Sequence, residues 1–125
     1  MAQIVTTLFL ENVAKLINGE EALMPEYVVV GDTPMTIFTP TQANLDDEYD
    51  ARLEADVVRV GREVTYSAMR LGATVTDGED ALPTSGLALS GTAQAPDLMA
   101  ALTHNGITQT DNFDIEFVYT IKVAR

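Results

Sequence analysis

The stretch Asp111-Asn112-Phe113-Asp114-Ile115-Glu116-Phe117-Val118-Tyr119-Thr120-Ile121-Lys122-Val123-Ala124-Arg125 decides the fold. Phe113, Ile115, Phe117, Tyr119, Ile121 and Val123 occupy every second position. Asp114, Glu116, Thr120 and Lys122 fill most of the gaps, with Val118 the exception. Side chains alternate faces along a strand, so this spacing sends six large apolar groups to one side and mostly polar groups to the other. A helix would scatter the same six around its circumference. At about 1.5–3 kcal/mol per fully buried side chain, that face carries on the order of 10 kcal/mol of gross burial energy. It needs a facing sheet or a partner to realise it, and the stretch holds nothing of catalytic type.

Working back from this strand, the rest of the chain reads as its partners. Leu98 to His104 reads as a neighbouring strand, although Leu, Met and Ala also favour helices, and Asn105-Gly106 supplies a tight turn. Gly86 to Leu89 is a short strand between a turn-rich loop around Asp77-Gly78 and a second loop from Gly91 to Pro96. A long strand begins at Arg52. Its Val57-Val58 pair breaks the alternation and predicts a bulge or a change of buried face. Gly61-Arg62 is read as a hairpin turn leading into a return strand over Glu63 to Val75, with Val64, Tyr66 and Ala68 on one face. Glu26 to Val30 is a β-rich run stopped by Gly31-Asp32. Met35 to Thr39, bracketed by Pro34 and Pro40, is an edge strand or an extended loop. The exception to the β pattern lies at the start. Thr6 or Thr7 caps a helix over about residues 6–18, with Phe9, Val13, Leu16 and Ile17 on one face and Gly19 at the C-terminal cap. The expected fold is one mainly β domain over residues 1–125, an antiparallel, jelly-roll-like β-sandwich with one N-terminal α-helix.

The bulk composition restricts function. A length of 125 residues with 46% hydrophobic content suits one domain with a real core. No run approaches a membrane span, and no basic region precedes the first apolar residues, so no signal peptide is expected. The absence of cysteine excludes a disulfide framework and a thiolate zinc site. Nineteen acidic against seven basic residues give a net charge of −12, which repels nucleic acid phosphates. The same charge destabilises a compact chain by self-repulsion in dilute buffer. The penalty largely disappears at molar salt, where the screening length is about 3 Å. The acidity fits either a protein that works in brine or an ordinary soluble surface.

Several constellations invite a chemical reading. Asp46, Asp47, Glu48 and Asp50 form the densest acidic cluster and are the candidate calcium ligands. They miss the EF-hand pattern, having no glycine at the sixth position and no closing glutamate, so a solvated acidic turn is the preferred reading. Asp77, Glu79 and Asp80 are read the same way. Glu54 and Asp56 share a strand face like a glycosidase carboxylate pair, but the chain lacks tryptophan to hold a sugar. His104 is the only histidine. A catalytic triad or histidine metal site would need partners that cannot be placed from sequence. The glycines are dispersed as turn residues, and the methionines are too scattered for a copper or haem site. No catalytic residue and no cofactor is expected.

The order of features resembles a particular group. A helix leads into Tyr27-Val28-Val29-Val30-Gly31-Asp32. A Thr/Pro-rich stretch then reaches Leu45-Asp46-Asp47-Glu48-Tyr49-Asp50-Ala51-Arg52. After a hairpin come Gly86-Leu87-Ala88-Leu89 and the terminal alternating strand. Over nearly the whole chain this resembles the small structural proteins of tailed viruses, in the tail-fibre or collar-like group. The resemblance rests on the order of elements and carries over no functional residue. It implies a non-enzymatic virion component of a tail, baseplate, fibre base or capsid decoration. Such a component acts as a homo-oligomer with other virion proteins, with no nucleic acid or membrane partner. If the brine reading also holds, the host is a halophile. The competing expectation is a carbohydrate- or calcium-binding β-sandwich module that contacts the host surface.

Overall fold

The computed structural model describes residues 3–49 and 51–124. The chain is mainly β, with three antiparallel sheets and one helix. The strands are β1 (Gln3–Val5), β2 (Tyr27–Gly31), β3 (Leu53–Glu54), β4 (Asp56–Val60), β5 (Glu63–Arg70), β6 (Glu79–Ala81), β7 (Thr84–Ala88), β8 (Leu98–Thr103), β9 (Thr108–Thr110) and β10 (Ile115–Lys122), and α1 covers Thr7–Ile17. The largest sheet runs β1-β8-β7-β2-β3, the second β10-β5-β4, and β6 pairs with β9.

The terminal strand behaves as its alternation dictates. β10 pairs with β5 along its whole length, from Ile115 opposite Arg70 to Lys122 opposite Glu63. Its apolar face, through Phe117, joins Tyr66 and Ala68 of β5 with Val28, Val30 and Leu87 of the five-stranded sheet. The two larger sheets therefore meet face to face. The expected stripe is trimmed at both ends, because Phe113 and Val123 fall outside the strand and are 45% and 66% exposed.

The other face of the five-stranded sheet has its own cover. Val29, Ala88, Leu98 and Ala101 pack under Met35, Phe38 and Leu45 from the segment after β2. That segment forms no strand, yet it lies over the sheet as a lid with three apolar anchors. β2 is thus buried on both faces, which is why it reads as an unbroken Tyr-Val-Val-Val run. β7 must pass close to β8, and a Cβ at Gly86 would run into the Ala100 carbonyl. Only glycine fits there.

The helix starts at Thr6, whose Oγ1 accepts from the Phe9 amide at 3.5 Å and donates to the Leu98 carbonyl at 2.7 Å. One hydroxyl caps the helix and fastens it to β8. At the other end Gly19, at φ +75°, lets its own amide reach Leu16 O and the Glu20 amide reach Lys15 O. This paired geometry closes a helix C-terminus. The predicted apolar face is only partly used: Leu16 is 52% and Ile17 83% exposed. No helix among the described residues is long and apolar enough to cross a membrane.

Three further expectations need correction. The break in the long strand falls at Ala55, not at Val57-Val58: β3 pairs with β2, while β4 pairs with β5 in the other sheet. The chain changes sheets there, held by the Ala55 amide on Glu26 O at 2.9 Å. The return strand ends at Arg70 instead of Val75. Gly72 leaves in a 3-10 turn, its amide taken by the Asp114 carboxylate at 2.8 Å. The loop after Thr76 contains β6, which pairs with the unforeseen β9 through Glu79–Thr110 and Ala81–Thr108.

Candidate functional site

Three networks hold most of the buried polar side chains among the described residues: Glu48, Arg52, Arg70, Ser85 and Gln109. The first is centred on Arg52, at the start of the stretch that leads into β3. Its Nε donates to Glu48 Oε1 at 2.6 Å and its Nη2 to Glu48 Oε2 at 3.2 Å. Nη1 donates to Asp97 Oδ1 at 2.6 Å and to Ser90 O at 3.0 Å, and Nη2 also donates to Ala95 O at 2.9 Å. All five guanidinium hydrogens are used. The Arg52 and Glu48 side chains are 1% and 0% exposed. Burial works against the guanidinium charge, but the hydrogen bonds and charges of Glu48 and Asp97 outweigh it and hold its pKa above the ordinary value. The cluster ties the acidic loop before β3 to the loop joining β7 and β8.

The second network is centred on Arg70, the last residue of β5. Nη1 donates to Gln109 Oε1 at 2.6 Å and Nη2 to Asp80 Oδ2 at 2.8 Å. The guanidinium lies 4.6 Å from the centre of the Tyr49 ring. Gln109, fully buried, returns hydrogen bonds to the carbonyls of Arg70 at 2.8 Å and Phe113 at 3.0 Å. Tyr49 donates to Ala81 O at 2.7 Å, with the Asp32 carboxylate 3.2 Å away. Burial, reinforced by Asp32 and Asp80, pushes its phenol pKa up to about 12. This cluster borders a surface concavity of about 340 Å³, also lined by Leu53 and Asp77.

The third network lies between the two sheets. Ser85 of β7 is hydrogen-bonded to both His104 Nε2 and the Tyr119 hydroxyl of β10, and His104 meets Phe117 edge-on at 6.1 Å. A serine beside a histidine resembles a nucleophile and its base. Here Ser85 is fully buried, and among the described residues no carboxylate orients the other imidazole nitrogen. The arrangement joins two sheets through side chains. Burial raises the Tyr119 pKa and lowers that of His104 from its ordinary 6.5. The folded state therefore favours neutral imidazole. This stability is present above the unfolded-state pKa and is lost as pH falls through it towards the lower folded value. Melting between about pH 7.5 and about pH 5.5 is expected to show falling stability, with a shallower slope for His104→Gln. An unchanged slope in that variant would assign the effect to other groups.

The sequence-predicted site residues are not brought together. Glu48 is neither a solvated turn residue nor a free calcium ligand, because both carboxylate oxygens bind Arg52. Asp46 and Asp47 are exposed, Asp47 taking a hydrogen bond from Thr33. Asp50 lies outside the described residues. Glu54 and Asp56 sit either side of the sheet change at Ala55, on an open concavity of about 350 Å³ that also takes in Glu26. Asp80 pairs with Arg70, while Asp77 and Glu79 are exposed. Among the described residues no group of three or more His, Asp or Glu side chains is placed to hold a metal ion.

Sequence reasoning missed Arg52, Arg70, Gln109 and Ser85. The one signal available was the spacing of Glu48 and Arg52 beside each other in a chain poor in bases. An apolar trough of about 350 Å³ runs between β1 and β10, floored by Leu87 and Ala100 and walled by Ile4 and Ile121. Comparison with family models, with curated protein sequences and with solved structures finds no match.

Proposed function

We propose that this protein is a non-enzymatic structural component of a tailed-virus particle that acts by assembling with copies of itself and with other virion proteins. The observation that carries the reading is β4. Every residue of this edge strand is exposed, including Val57, Val58 and Val60 at 49%, 58% and 72%. An edge strand with unpaired backbone and bare valines is a surface that must be covered or paired. The order of elements along the chain supports the same reading. The rival, a calcium- or glycan-binding module for host attachment, is weakened because Glu48 is taken by Arg52.

Mass spectrometry of purified virions, with copy number per particle, tests the proposal. Hundreds of copies would mark a capsid decoration, and a few to a few dozen a tail or vertex component. A protein that stays monomeric at low and at molar salt and does not bind virus particles would overturn it.

The net charge of −12 adds a second proposal, a halophilic host. Between about 0.1 M and about 1 M salt the screening length falls from about 10 Å to about 3 Å, relieving self-repulsion. The melting temperature is expected to rise by about 5 °C or more, corresponding to a gain of roughly 1–2 kcal/mol. A flat or falling profile would remove the high-salt reading.

A further inference from the structure

The two ends of the β10-β5-β4 sheet carry opposite charge over bare apolar surface. At one end, the turn between β4 and β5 and the close of β10 gather Arg59, Arg62 and Lys122, all exposed. These are three of the four exposed bases among the described residues, since Arg52 and Arg70 are buried and Lys15 lies on α1. Val58, Val60 and Val123 stand among them at 58%, 72% and 66% exposure. The Val123 amide bonds Arg62 O at 2.9 Å, and Val60 and Lys122 flank Glu63 on the outer face, while Arg59, on the other face, reaches the same turn through Nη1 on Gly61 O at 3.0 Å. The other end lies one β5 length away, about 23 Å at about 3.3 Å per residue. There Met69, Leu71 and Phe113 are 47%, 51% and 45% exposed. Glu116 lies opposite Met69 across the β10–β5 ladder, Asp114 takes the Gly72 amide beside Leu71, and Asp111 precedes Phe113 by two residues, all three acids exposed. The two loops that carry these groups meet at Gly72, which packs against the carbonyls of Asp111 and Phe113.

We infer that copies of this chain associate head to tail, the basic Arg59–Arg62 tip of one copy seating against the acidic Leu71–Phe113 end of the next. On a chain with net charge −12, a tip-to-tip contact would bring like charges together, whereas tip to far end matches unlike charges over apolar surface on both sides. Such a contact is heterologous: each bound pair keeps one unused surface of each kind, so the series closes into a ring or continues as a stack. This inference rests on the self-assembly reading above and goes beyond it by naming the two surfaces.

The test uses light scattering at about 0.15 M salt, where the screening length is about 8 Å. Melting curves confirm that each variant is folded. The native chain is expected to show concentration-dependent multimers. Arg59→Glu with Arg62→Glu, and separately Asp111→Lys with Glu116→Lys, should each weaken self-association by on the order of 100-fold. Mixing the two variants should restore multimers, because the intact tip of one meets the intact far end of the other and the two reversed surfaces are again opposite in charge. A mixture that stays monomeric, or a variant that assembles like the native chain, would overturn the inference. Native multimers unaffected by either variant would leave self-assembly standing while removing these surfaces. A native chain that is monomeric and does not bind virus particles would remove both.

Discussion

Replacing Arg52 with alanine is expected to lower the unfolding free energy by about 3–5 kcal/mol, the cost of breaking a buried ion pair by deleting one partner. The size follows from what is left behind. Glu48 has a fully buried side chain and loses the base whose hydrogen bonds reach both of its carboxylate oxygens. The carbonyls of Ser90 and Ala95 lose their guanidinium donor, and Asp97 keeps only the Ser90 amide at 2.8 Å. An uncompensated buried carboxylate must take up a proton, draw in water or shift the loop. Thermal denaturation should register the loss as about 10–20 °C for a chain of this size. A double variant, Arg52→Met with Glu48→Leu, should recover much of it, because apolar side chains of similar volume often replace a buried ion pair at little cost. A change below about 1 kcal/mol in the single variant would show that water reaches the cluster and that it does not hold the two loops together.

The contrast between Arg52 and the terminal strand explains how much the sequence discloses. The alternation from Ile115 to Ile121 is local: period two within one segment is enough to define a buried face, and β10 has that face. The same holds for the Thr6 cap, the Gly19 C-terminus and the Gly61-Arg62 turn, each decided by neighbours a few residues away. Arg52 meets Asp97 across 45 residues of sequence, and no pattern in the chain announces it. The lid over the second core is hidden for a related reason. Met35, Phe38 and Leu45 have no common period, because an irregular segment places its anchors one by one. The sheet change at Ala55 was displaced to Val57-Val58 because alternation assumes that one face is buried, whereas β4 is exposed on both. By alternation Phe113 belongs to the apolar stripe, but β10 begins only at Ile115. The backbone of Phe113 instead serves the Arg70 cluster, through the Gln109 bond to Phe113 O. The candidate calcium loop fails for an electrostatic reason. Glu48, four residues before Arg52, gives both carboxylate oxygens to that buried base and has none left for a cation.

Phe117→Ala is expected to cost about 3–5 kcal/mol, whereas Val118→Ala, one residue along, should stay within about 0.5 kcal/mol. Phe117 is 5% exposed within the cluster joining the two sheets, while Val118 is 55% exposed on the outer face. Removing the ring leaves a cavity among Val28, Val30, Leu87, Tyr66 and Ala68, which come from three rigid strands with little freedom to collapse. It also takes away the edge that packs against His104, so the Ser85–His104–Tyr119 bridge should loosen with it. The pH slope assigned to His104 should accordingly be altered in the Phe117 variant, which links two measurements that would otherwise be independent. Urea or guanidinium unfolding of the two variants decides the matter, because a slip of one residue in the β10–β5 register exchanges the faces and so reverses the order of the two costs. Were Val118→Ala the more damaging, the face-to-face packing of the two sheets would have to be reassigned, and with it the outer surface from which assembly is argued.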